Sequence, residues 1–279
     1  MNKFTRIDRA GQATWVAEQN GQWHALEDLG PADDWAPLIE AMHGQRPWGR
    51  TTAVDASTWH ALMPIPRPGK VVCLGLNYAA HAAEGGNAAP EYPAFFMRGA
   101  TSLLAHGAPM IRPRVSDKLD FEAELAVVIG RTSRHLTPDN ALQAVLGYSC
   151  FNDGTLRDYQ RKASQWTIGK NFDHTGAIGP WWVPASALPN GASGLHIESR
   201  LNGQVMQSDN TSHMIVSVAQ ALVLLSEVMT LEVGDVIAMG TPSGVGYART
   251  PPVWMKPGDL IEIEIERVGV LANRVQQEA

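Results

Sequence analysis

A pair of glutamates stands where a strongly apolar segment begins. In LDFEAELAVVIG, residues 119–130, Glu122 and Glu124 lead into a run typical of a buried strand, and Asp120 precedes them. Side chains two apart on a strand point to the same face, so we expect the two carboxylates to lie side by side. Partly buried neighbours of like charge need a cation between them, because otherwise one carboxyl group keeps its proton.

Asp153 offers a third oxygen ligand, at the end of the predicted strand GYSCFND. Hard divalent cations prefer carboxylate oxygens. Neither histidine nor cysteine stands at matching spacing, which disfavours zinc. The sequence therefore predicts a site for Mg²⁺ or Mn²⁺, with Ca²⁺ as an alternative. The competing interpretation is that the glutamates face water before the strand enters the core, as acids that flank strands often do.

His81 and Glu84 form a second candidate pair, three residues apart in NYAAHAAE. On a helix they are neighbours, and a carboxylate can orient an imidazole and increase its basicity. Such a pair can act as a general base that activates water. An incidental pair on a helix surface is the alternative.

Polar residues after Asp153 extend the candidate site. If a helix begins there, Arg157 and Gln160 share its face and could hold an anionic ligand, although a surface ion pair explains them equally well. Lys170, in TIGKNFD, has the surroundings of a solvated lysine. Thr241 opens TPSGVG, whose glycines would allow the backbone and the threonine hydroxyl to approach a ligand carboxylate closely. The alternative is a tight connection that binds no ligand. The GK[ST] ending of a phosphate loop is absent.

Strands outnumber helices along the chain, which predicts a β-rich, mixed α/β fold. Residues 1–66 hold three short strand-like pieces and one helical stretch, DDWAPLIEAMHG. The proline-rich PIPRPGK that follows reads as a linker. We therefore predict a small N-terminal α/β module over residues 1–66 and a main domain over residues 67–279.

The predicted helices of the main domain carry recognisable start signals. NYAAHAAE has Asn77 as a plausible N-cap, and TPDNALQAVLGYS has Thr137 as cap and Pro138 at the first helical position. LRDYQRKASQW and SHMIVSVAQALVLLSEVM are also predicted helices. Asn202-Gly203 between alternating runs predicts a hairpin. The strands that the pattern predicts are KVVCLGLNY, AFFMRG, LAVVIG, GYSCFND, DVIAMG and LIEIEIE.

Composition excludes several classes of protein. The 279 residues carry a formal net charge of −6, which argues against a nucleic-acid partner. No apolar run approaches the roughly 20 residues that span a bilayer, and MNKFTRIDRAGQ lacks the apolar core of a signal peptide. The 2 cysteines lie in apolar segments and exclude a disulfide framework. We expect a cytoplasmic enzyme without a membrane partner.

From about residue 70 to 275 the chain resembles the fumarylacetoacetate hydrolase family. The matching stretches follow the family's order: GLNYAAHAAE, DFEAELAVVIG, FNDGTLRDYQ, QWTIGKNFD, IGPWWV, LNGQVMQ, MTLEVGDVIAMGTPSGVG and PPVWMKPGD. The resemblance implies a fumarylacetoacetate hydrolase-type β-roll or sandwich with its site at the open end, and a homodimer. It also implies that HAAEGGNAAPEYP belongs to the lid, in which members differ.

The resemblance also implies roles for individual residues. The family's divalent metal ligands correspond to Glu122, Glu124 and Asp153, and its water-activating pair corresponds to His81 and Glu84. Lys170 corresponds to a lysine that stabilises negative charge on the substrate. The residues that the resemblance places at the substrate are Arg157, Gln160 and Thr241, with Arg98 where many members have a lysine that meets a carboxylate.

Members of this family cleave a carbon–carbon bond in β-diketo acids, or decarboxylate or tautomerise related oxo acids. Because the His81–Glu84 pair suits an attacking water, we expect hydrolysis of an acylpyruvate-type small molecule to an oxo acid and a carboxylic acid. The alternative is a decarboxylase, tautomerase or isomerase acting on oxaloacetate or a hydroxymuconate-type substrate, which needs the enolate but no attacking water. A protein that binds oxo acids without catalysis is a third hypothesis.

Overall fold

A computed structural model of the chain describes residues 1–86, 88 and 90–279. Its strands are β1 (Lys3–Arg9), β2 (Gln12–Gln19), β3 (Gln22–Leu26), β4 (Thr51–Val54), β5 (His60–Ala61), β6 (Val71–Gly75), β7 (Ala94–Arg98), β8 (Leu103–Ala105), β9 (Met110–Arg112), β10 (Leu119–Asp120), β11 (Ala123–Ile129), β12 (Val145–Asp153), β13 (Thr155–Leu156), β14 (Gly176–Pro184), β15 (His196–Leu201), β16 (Gln204–Asn210), β17 (Val236–Ala238), β18 (Leu260–Ile265) and β19 (Gly269–Gln277). The α-helices are α1 (Ala36–Met42), α2 (Ala79–Glu84), α3 (Arg157–Gln160), α4 (Thr167–Lys170) and α5 (Val218–Val228).

Two sheets make up most of the β-rich, mixed α/β architecture. The larger has 12 strands in the order β4-β3-β2-β1-β14-β12-β11-β17-β6-β7, with β5 on β1 and β8 on β14. The smaller has 5 strands in the order β16-β15-β18-β19-β9, and β10 and β13 form a separate pair. This arrangement confirms the predicted fold class. Within the described residues, no helix is both long enough and apolar enough to cross a bilayer.

Strand β11 is an interior strand of the larger sheet, between β12 and β17, and is buried on both faces. Leu125 and Val127 point into one apolar cluster, and Ala126 and Val128 point into the other. A strand covered on both sides reads as a continuous apolar run, which explains LAVVIG. Its rigid position also fixes where the acids at its beginning lie.

The N-terminal strands continue the same sheet. Phe4 of β1 pairs with Trp182 of β14, and their rings stack with centroids 4.6 Å apart. The second apolar cluster contains Trp15 and Leu38 from the N-terminal segment as well as Val128 from β11. The boundary at residue 66 stays a prediction, although shared sheet and core join the two segments.

The Asn202-Gly203 turn and helix α5 are two elements whose conformation is decided by neighbouring residues in the chain. Asn202 and Gly203 both have positive φ, 52° and 79°, as a two-residue turn between β15 and β16 requires. Helix α5 begins after Ser217, which forms a reciprocal capping box with Gln220. The hairpin is confirmed, and the helix predicted for SHMIVSVAQALVLLSEVM is confirmed from Val218 to Val228, whereas the residues before Ser217 do not form an α-helix.

The helix predicted for TPDNALQAVLGYS is wrong. Only a short 3-10 turn forms, at Ala141–Ala144, and β12 begins at Val145. From there the chain pairs with β11 on one side and β14 on the other, so sheet pairing overrides the local helical pattern. The Thr137 backbone N–H donates to the side chain of Asn140, 2.8 Å away, and Thr137 caps no helix.

Two helix boundaries also differ from the prediction. Asn77 does not cap α2, because its side chain bonds to the backbone of Val216, just before α5, and of Met239, just after β17. Asp153 does not begin a helix with Arg157, since it ends β12 and helix α3 begins only at Arg157.

Candidate active site

Three carboxylates converge where β11 and β12 meet. Glu122 immediately precedes β11, Glu124 is its second residue, and Asp153 ends the antiparallel neighbour β12. One oxygen from each lies within 4.8 Å of the others, and all three residues are buried. The interpretation that the glutamates face water is therefore wrong. Backbone pairing produces the convergence, because Asp153 N donates to Glu122 O at 3.0 Å.

Glu124 lies in the least favourable electrostatic position. Burial raises the pKa of its carboxyl group well above the usual value, and the charges of Asp153 and Glu122 raise it further. Its Oε2 accepts a hydrogen bond from Gly240 N at 2.9 Å, which does not offset these effects. A divalent cation bound by the three oxygens would remove the penalty, so the donor set fits a hard metal ion.

Glu122 is held ionised by its neighbours. Burial by itself would raise the pKa of its carboxyl group, but the positive charges of Arg157 and Lys170 outweigh burial, and the pKa is lowered. Arg157 Nη2 donates to Glu122 Oε1 at 2.6 Å, and Lys170 Nζ donates to Oε2. Glu122 thus remains an anion, the form in which a carboxyl group binds a metal.

Lys170 lies inside the acidic cluster, so its solvated appearance in the sequence was misleading. It ends α4, is 2% exposed, and donates to Asp153 Oδ2 at 2.5 Å as well as to Glu122. Burial lowers the pKa of its ammonium group, whereas Asp153 and Glu122 raise it, and the net pKa is above the usual value. The residue is a buried permanent cation, which is suited to stabilising negative charge on a ligand.

Arg98 lies behind Asp153 and does not line the cavity. Its Nη1 donates to Asp153 Oδ1 at 2.6 Å and to Gly154 O at 3.1 Å. Nη2 donates to Thr175 Oγ1 at 2.8 Å, and Nε donates to Ser102 Oγ at 3.2 Å. Since every nitrogen already has a protein acceptor, this placement does not favour the substrate contact expected from the sequence. We propose instead that Arg98 positions Asp153.

Arg157 connects Glu122 of the three-carboxylate cluster to a fourth buried carboxylate, Asp120. Its Nε donates to Asp120 Oδ2 at 2.8 Å, and its Nη1 donates to Gln160 Oε1 at 2.9 Å. Asp120 also accepts from Gly246 N at 2.7 Å and from Tyr247 N at 3.0 Å. The sequence drew attention to Asp120 but indicated no role, because its partners come from distant segments.

His81 and Glu84 form the expected pair on α2. His81 Nδ1 lies 2.8 Å from Glu84 Oε1, and Glu84 Oε2 accepts from Gly244 N at 2.8 Å. Glu84 is thus anchored to the loop after β17, and we assign the proton to Nδ1 on this hydrogen-bond pattern. Nε2 of His81 then carries the lone pair. His81 is buried and lines the same cavity as the acids, so it does not lie on a helix surface.

Thr241 is fixed from behind by Gln207. Its Oγ1 accepts from Gln207 Nε2 at 2.7 Å, while Gln207 Oε1 accepts from Ala123 N at 3.0 Å. Because the threonine oxygen accepts this bond, its hydrogen remains available to an oxygen in the cavity. The side-chain amide of Gln207, on β16, thus links Thr241 to the first residue of β11, Ala123.

All the predicted site residues except Glu84 and Arg98 line one cavity of about 450 Å³. Aromatic walls were not predicted: Trp166 and Phe96 meet edge to face at 5.5 Å, and Tyr247 stands on the lining as well. Gly75 makes room for Trp166, because a Cβ there would lie 2.1 Å from the indole ring. Of the segment expected to form the lid, Asn87 and Ala89 lie outside the described residues.

Comparison with known proteins identifies the family of the chain. A family model described as fumarylacetoacetate (FAA) hydrolase C-terminal matches residues 70–276. The chain therefore belongs to the fumarylacetoacetate hydrolase family, which confirms the resemblance. The enzymes it matches include tautomerases, isomerases and hydrolases.

Individual relatives show how far the similarity reaches. The chain is 42% identical over 216 residues to the oxaloacetate tautomerase YisK of Bacillus subtilis, covering 76% of this chain and 71% of the relative. It is 39% identical over 216 residues to the mitochondrial oxaloacetate tautomerase FAHD2A of Homo sapiens, covering 77% and 68%. The fumarylacetoacetate hydrolase of Exiguobacterium antarcticum superposes with a TM-score of 0.87 at 34% identity over 100% of both chains.

Proposed function

We propose that this protein is a divalent-metal-dependent enzyme that interconverts the keto and enol forms of a 2-oxo acid, with oxaloacetate as the first candidate substrate. The observation that carries the proposal is the convergence of the three-carboxylate cluster and the His81–Glu84 pair on one cavity. The cluster suits a chelated oxo acid, and the imidazole suits proton transfer.

Charge balance supports an anionic substrate. Counted at full ionisation, the buried carboxylates of the site exceed its buried cations by one negative charge; they are Asp120, Glu122, Glu124 and Asp153 against Arg98, Arg157 and Lys170. A divalent cation reverses that sign and leaves the site with a net positive charge. An oxo acid carrying one or two carboxylates would then be attracted to it.

The residues that would hold the metal are Glu122, Glu124 and Asp153. When bound there, a divalent cation would polarise the 2-oxo group and favour loss of a proton from the adjacent carbon. Arg98 and Arg157 support two of these ligands from outside the cluster, at 2.6 Å each. Such outer contacts fix the direction in which ligand oxygens point.

His81 is the group that moves the proton. Going from enol to keto form, one proton leaves the enol oxygen and one is added to the neighbouring carbon, so no water is consumed. Nε2 of His81 accepts and returns the proton, while Glu84 holds Nδ1–H and stabilises the imidazolium that forms. Lys170 and the Thr241 hydroxyl lie on the same cavity and can stabilise the enolate oxygens.

Hydrolysis of an acylpyruvate, the activity expected from the sequence, is the second candidate. It is favoured by the same His81–Glu84 pair, which could activate a water, and a maleylpyruvate hydrolase from Sphingobium superposes with a TM-score of 0.81 at 27% identity. We place tautomerisation first because several relatives named oxaloacetate tautomerases have higher identity, between 38% and 42%. Cytoplasmic location and a homodimer also remain predictions.

Three assays on the Mg²⁺-loaded protein test the proposal. Enol loss of oxaloacetate is followed by absorbance and keto formation by coupling to malate dehydrogenase. Pyruvate release reports decarboxylation, and pyruvate with a carboxylic acid from an acylpyruvate reports hydrolysis. We expect accelerated enol–keto exchange that EDTA abolishes. Turnover of an acylpyruvate with no acceleration of enol–keto exchange would reject tautomerisation in favour of hydrolysis.

A further inference from the structure

One cation on the cavity wall has no part in the site described so far. Arg161 follows directly after α3 and lines the cavity. Its guanidinium carbon lies 4.7 Å from the centroid of the Tyr247 ring, and that of Arg157 lies 4.5 Å from the same centroid. Both distances are those of cation–π contacts. The Tyr247 ring thus connects an inner and an outer arginine.

The two arginines differ in what their donors contact. Each of the three guanidinium nitrogens of Arg157 already has an acceptor in the protein; these are Asp120, Gln160 and Glu122. The guanidinium of Arg161, by contrast, meets no hydrogen-bond acceptor or carboxylate within residues 1–86, 88 and 90–279. Of the cations that line the cavity, Arg161 alone among the described residues keeps its planar set of donors for a ligand.

We propose that Arg161 binds a second carboxylate of the substrate, at the end remote from the metal-binding oxygens, so that the site selects 2-oxo dicarboxylates over 2-oxo monocarboxylates. The inference rests on the proposed function, because it assigns the other end of the same ligand to the acidic cluster. A guanidinium matches a carboxylate in two parallel hydrogen bonds, which a lysine cannot reproduce.

The Tyr247 ring is the positioning element in this arrangement. Its backbone N–H donates to the buried Asp120 at 3.0 Å, the same carboxylate that accepts from Arg157, so the backbone of Tyr247 is anchored beside Arg157. The aromatic face restricts where the exposed Arg161 side chain can lie. Without the ring, the Arg161 side chain would be mobile in solvent. Binding a ligand would then cost more conformational entropy, because the guanidinium would have to be ordered.

Lys162 provides a matched control. It is the next residue and carries the same charge, but its Nζ lies 3.4 Å from the centroid of the Tyr159 ring and it does not line the cavity. Lys162→Gln therefore removes one positive charge from the same loop without removing a cavity donor. Arg161→Lys keeps the positive charge but removes the guanidinium group, which can form two parallel hydrogen bonds to a carboxylate.

The test measures binding by calorimetry to Mg²⁺-loaded protein, without requiring turnover. The probes are 2-oxoglutarate and 2-oxopentanoate, which have equal chain length and differ in the remote carboxylate, with oxalate as a ligand that lacks a remote end. We expect wild type and Lys162→Gln to prefer 2-oxoglutarate by about tenfold, as one charge-assisted contact provides. Arg161→Gln should abolish the preference and change oxalate binding by less than about twofold, and Arg161→Lys should lie between.

The outcomes separate this inference from the proposed function. An unchanged preference in Arg161→Gln, or no preference in wild type, overturns the role of Arg161 even if the enzyme tautomerises oxaloacetate. Loss of the preference in Arg161→Gln supports it even if the activity is hydrolytic. If oxalate fails to bind wild type, both proposals fall together. Tyr247→Leu should weaken the preference while Tyr247→Phe retains it, and equal behaviour of the two would refute the positioning role of the ring.

Discussion

Arg98 donates to Asp153 across 2.6 Å with both side chains completely buried. The pair joins β7 at the edge of the large sheet to the end of β12, where the three carboxylates converge. A buried ion pair of this kind adds little to the stability of the fold compared with apolar packing. Removing one partner is nevertheless costly, because it leaves a buried charge that is less well compensated. Arg98 therefore connects the stability of the fold to the geometry of the site.

Replacement of Arg98 tests this connection. We expect Arg98→Met to lower the free energy of unfolding by up to about 3–5 kcal/mol, because the buried Asp153 loses one of its two cationic partners and keeps only Lys170. Urea denaturation measures the change, and Arg98→Lys, which keeps a charge, should lose clearly less. If both variants unfold like wild type, Arg98 does not hold Asp153 in solution.

Metal affinity should depend on pH through Glu124. Burial raises the pKa of this carboxyl group, with Asp153 and Glu122 adding to the shift, so in the metal-free protein it retains a proton above its usual pKa. Binding must displace that proton, and affinity for Mg²⁺ should increase by up to about tenfold per pH unit until the raised pKa is passed. Calorimetry in two buffers with different ionisation enthalpies would detect the released proton.

The same shift has a consequence for stability without metal. A carboxyl group whose pKa is higher in the folded state binds its proton more tightly there, so its contribution is greatest below the unfolded pKa and is lost as pH rises through the folded pKa. Glu124→Gln should reduce this loss of stability with rising pH and should abolish metal binding. A pH-independent Mg²⁺ affinity in wild type would contradict the assignment of Glu124.

His81 should matter for proton transfer and little for the metal. We expect His81→Asn to lower kcat by about 10²–10⁴-fold, the usual range for loss of a general acid or base. Glu84→Gln should lower kcat less, because it removes only the group that orients the imidazole. Mg²⁺ titration of each variant serves as the control and should match wild type. A variant that lost metal binding as well would show a structural role for the helix α2 pair.

Gly75 should be intolerant of any side chain. A Cβ there would lie 2.1 Å from the Trp166 ring, so Gly75→Ala must displace the aromatic wall of the cavity. We expect KM for the oxo acid to rise about tenfold and stability to fall by about 1–3 kcal/mol, as in overpacked cores. Gly99→Ala is the matched control, since the nearest atom to its Cβ would be Asn171 Oδ1 at 3.5 Å. Equal effects of the two substitutions would argue against a specific role of the wall.

The sequence by itself determined the parts of the site that depend on periodicity and on short spacing. Glu122 and Glu124 share a face because strand side chains alternate, and His81 reaches Glu84 because three residues nearly complete a helical turn. The Asn202-Gly203 turn follows from the backbone conformations that asparagine and glycine tolerate. Each of these relationships involves residues close in the chain, whose local geometry is the same in many folds.

Only the tertiary structure decided which local features meet. The buried position of Lys170, the ion pair of Arg98 with Asp153, and the contact of Arg157 with Asp120 all join segments separated by 17 to 55 residues. The segment after Thr137 contains helix-forming residues, yet from Val145 onwards it is a strand because β11 and β14 offer backbone partners on both sides. Burial and long-range pairing depend on the whole fold, and they outweigh the small conformational preferences that a short stretch of sequence expresses.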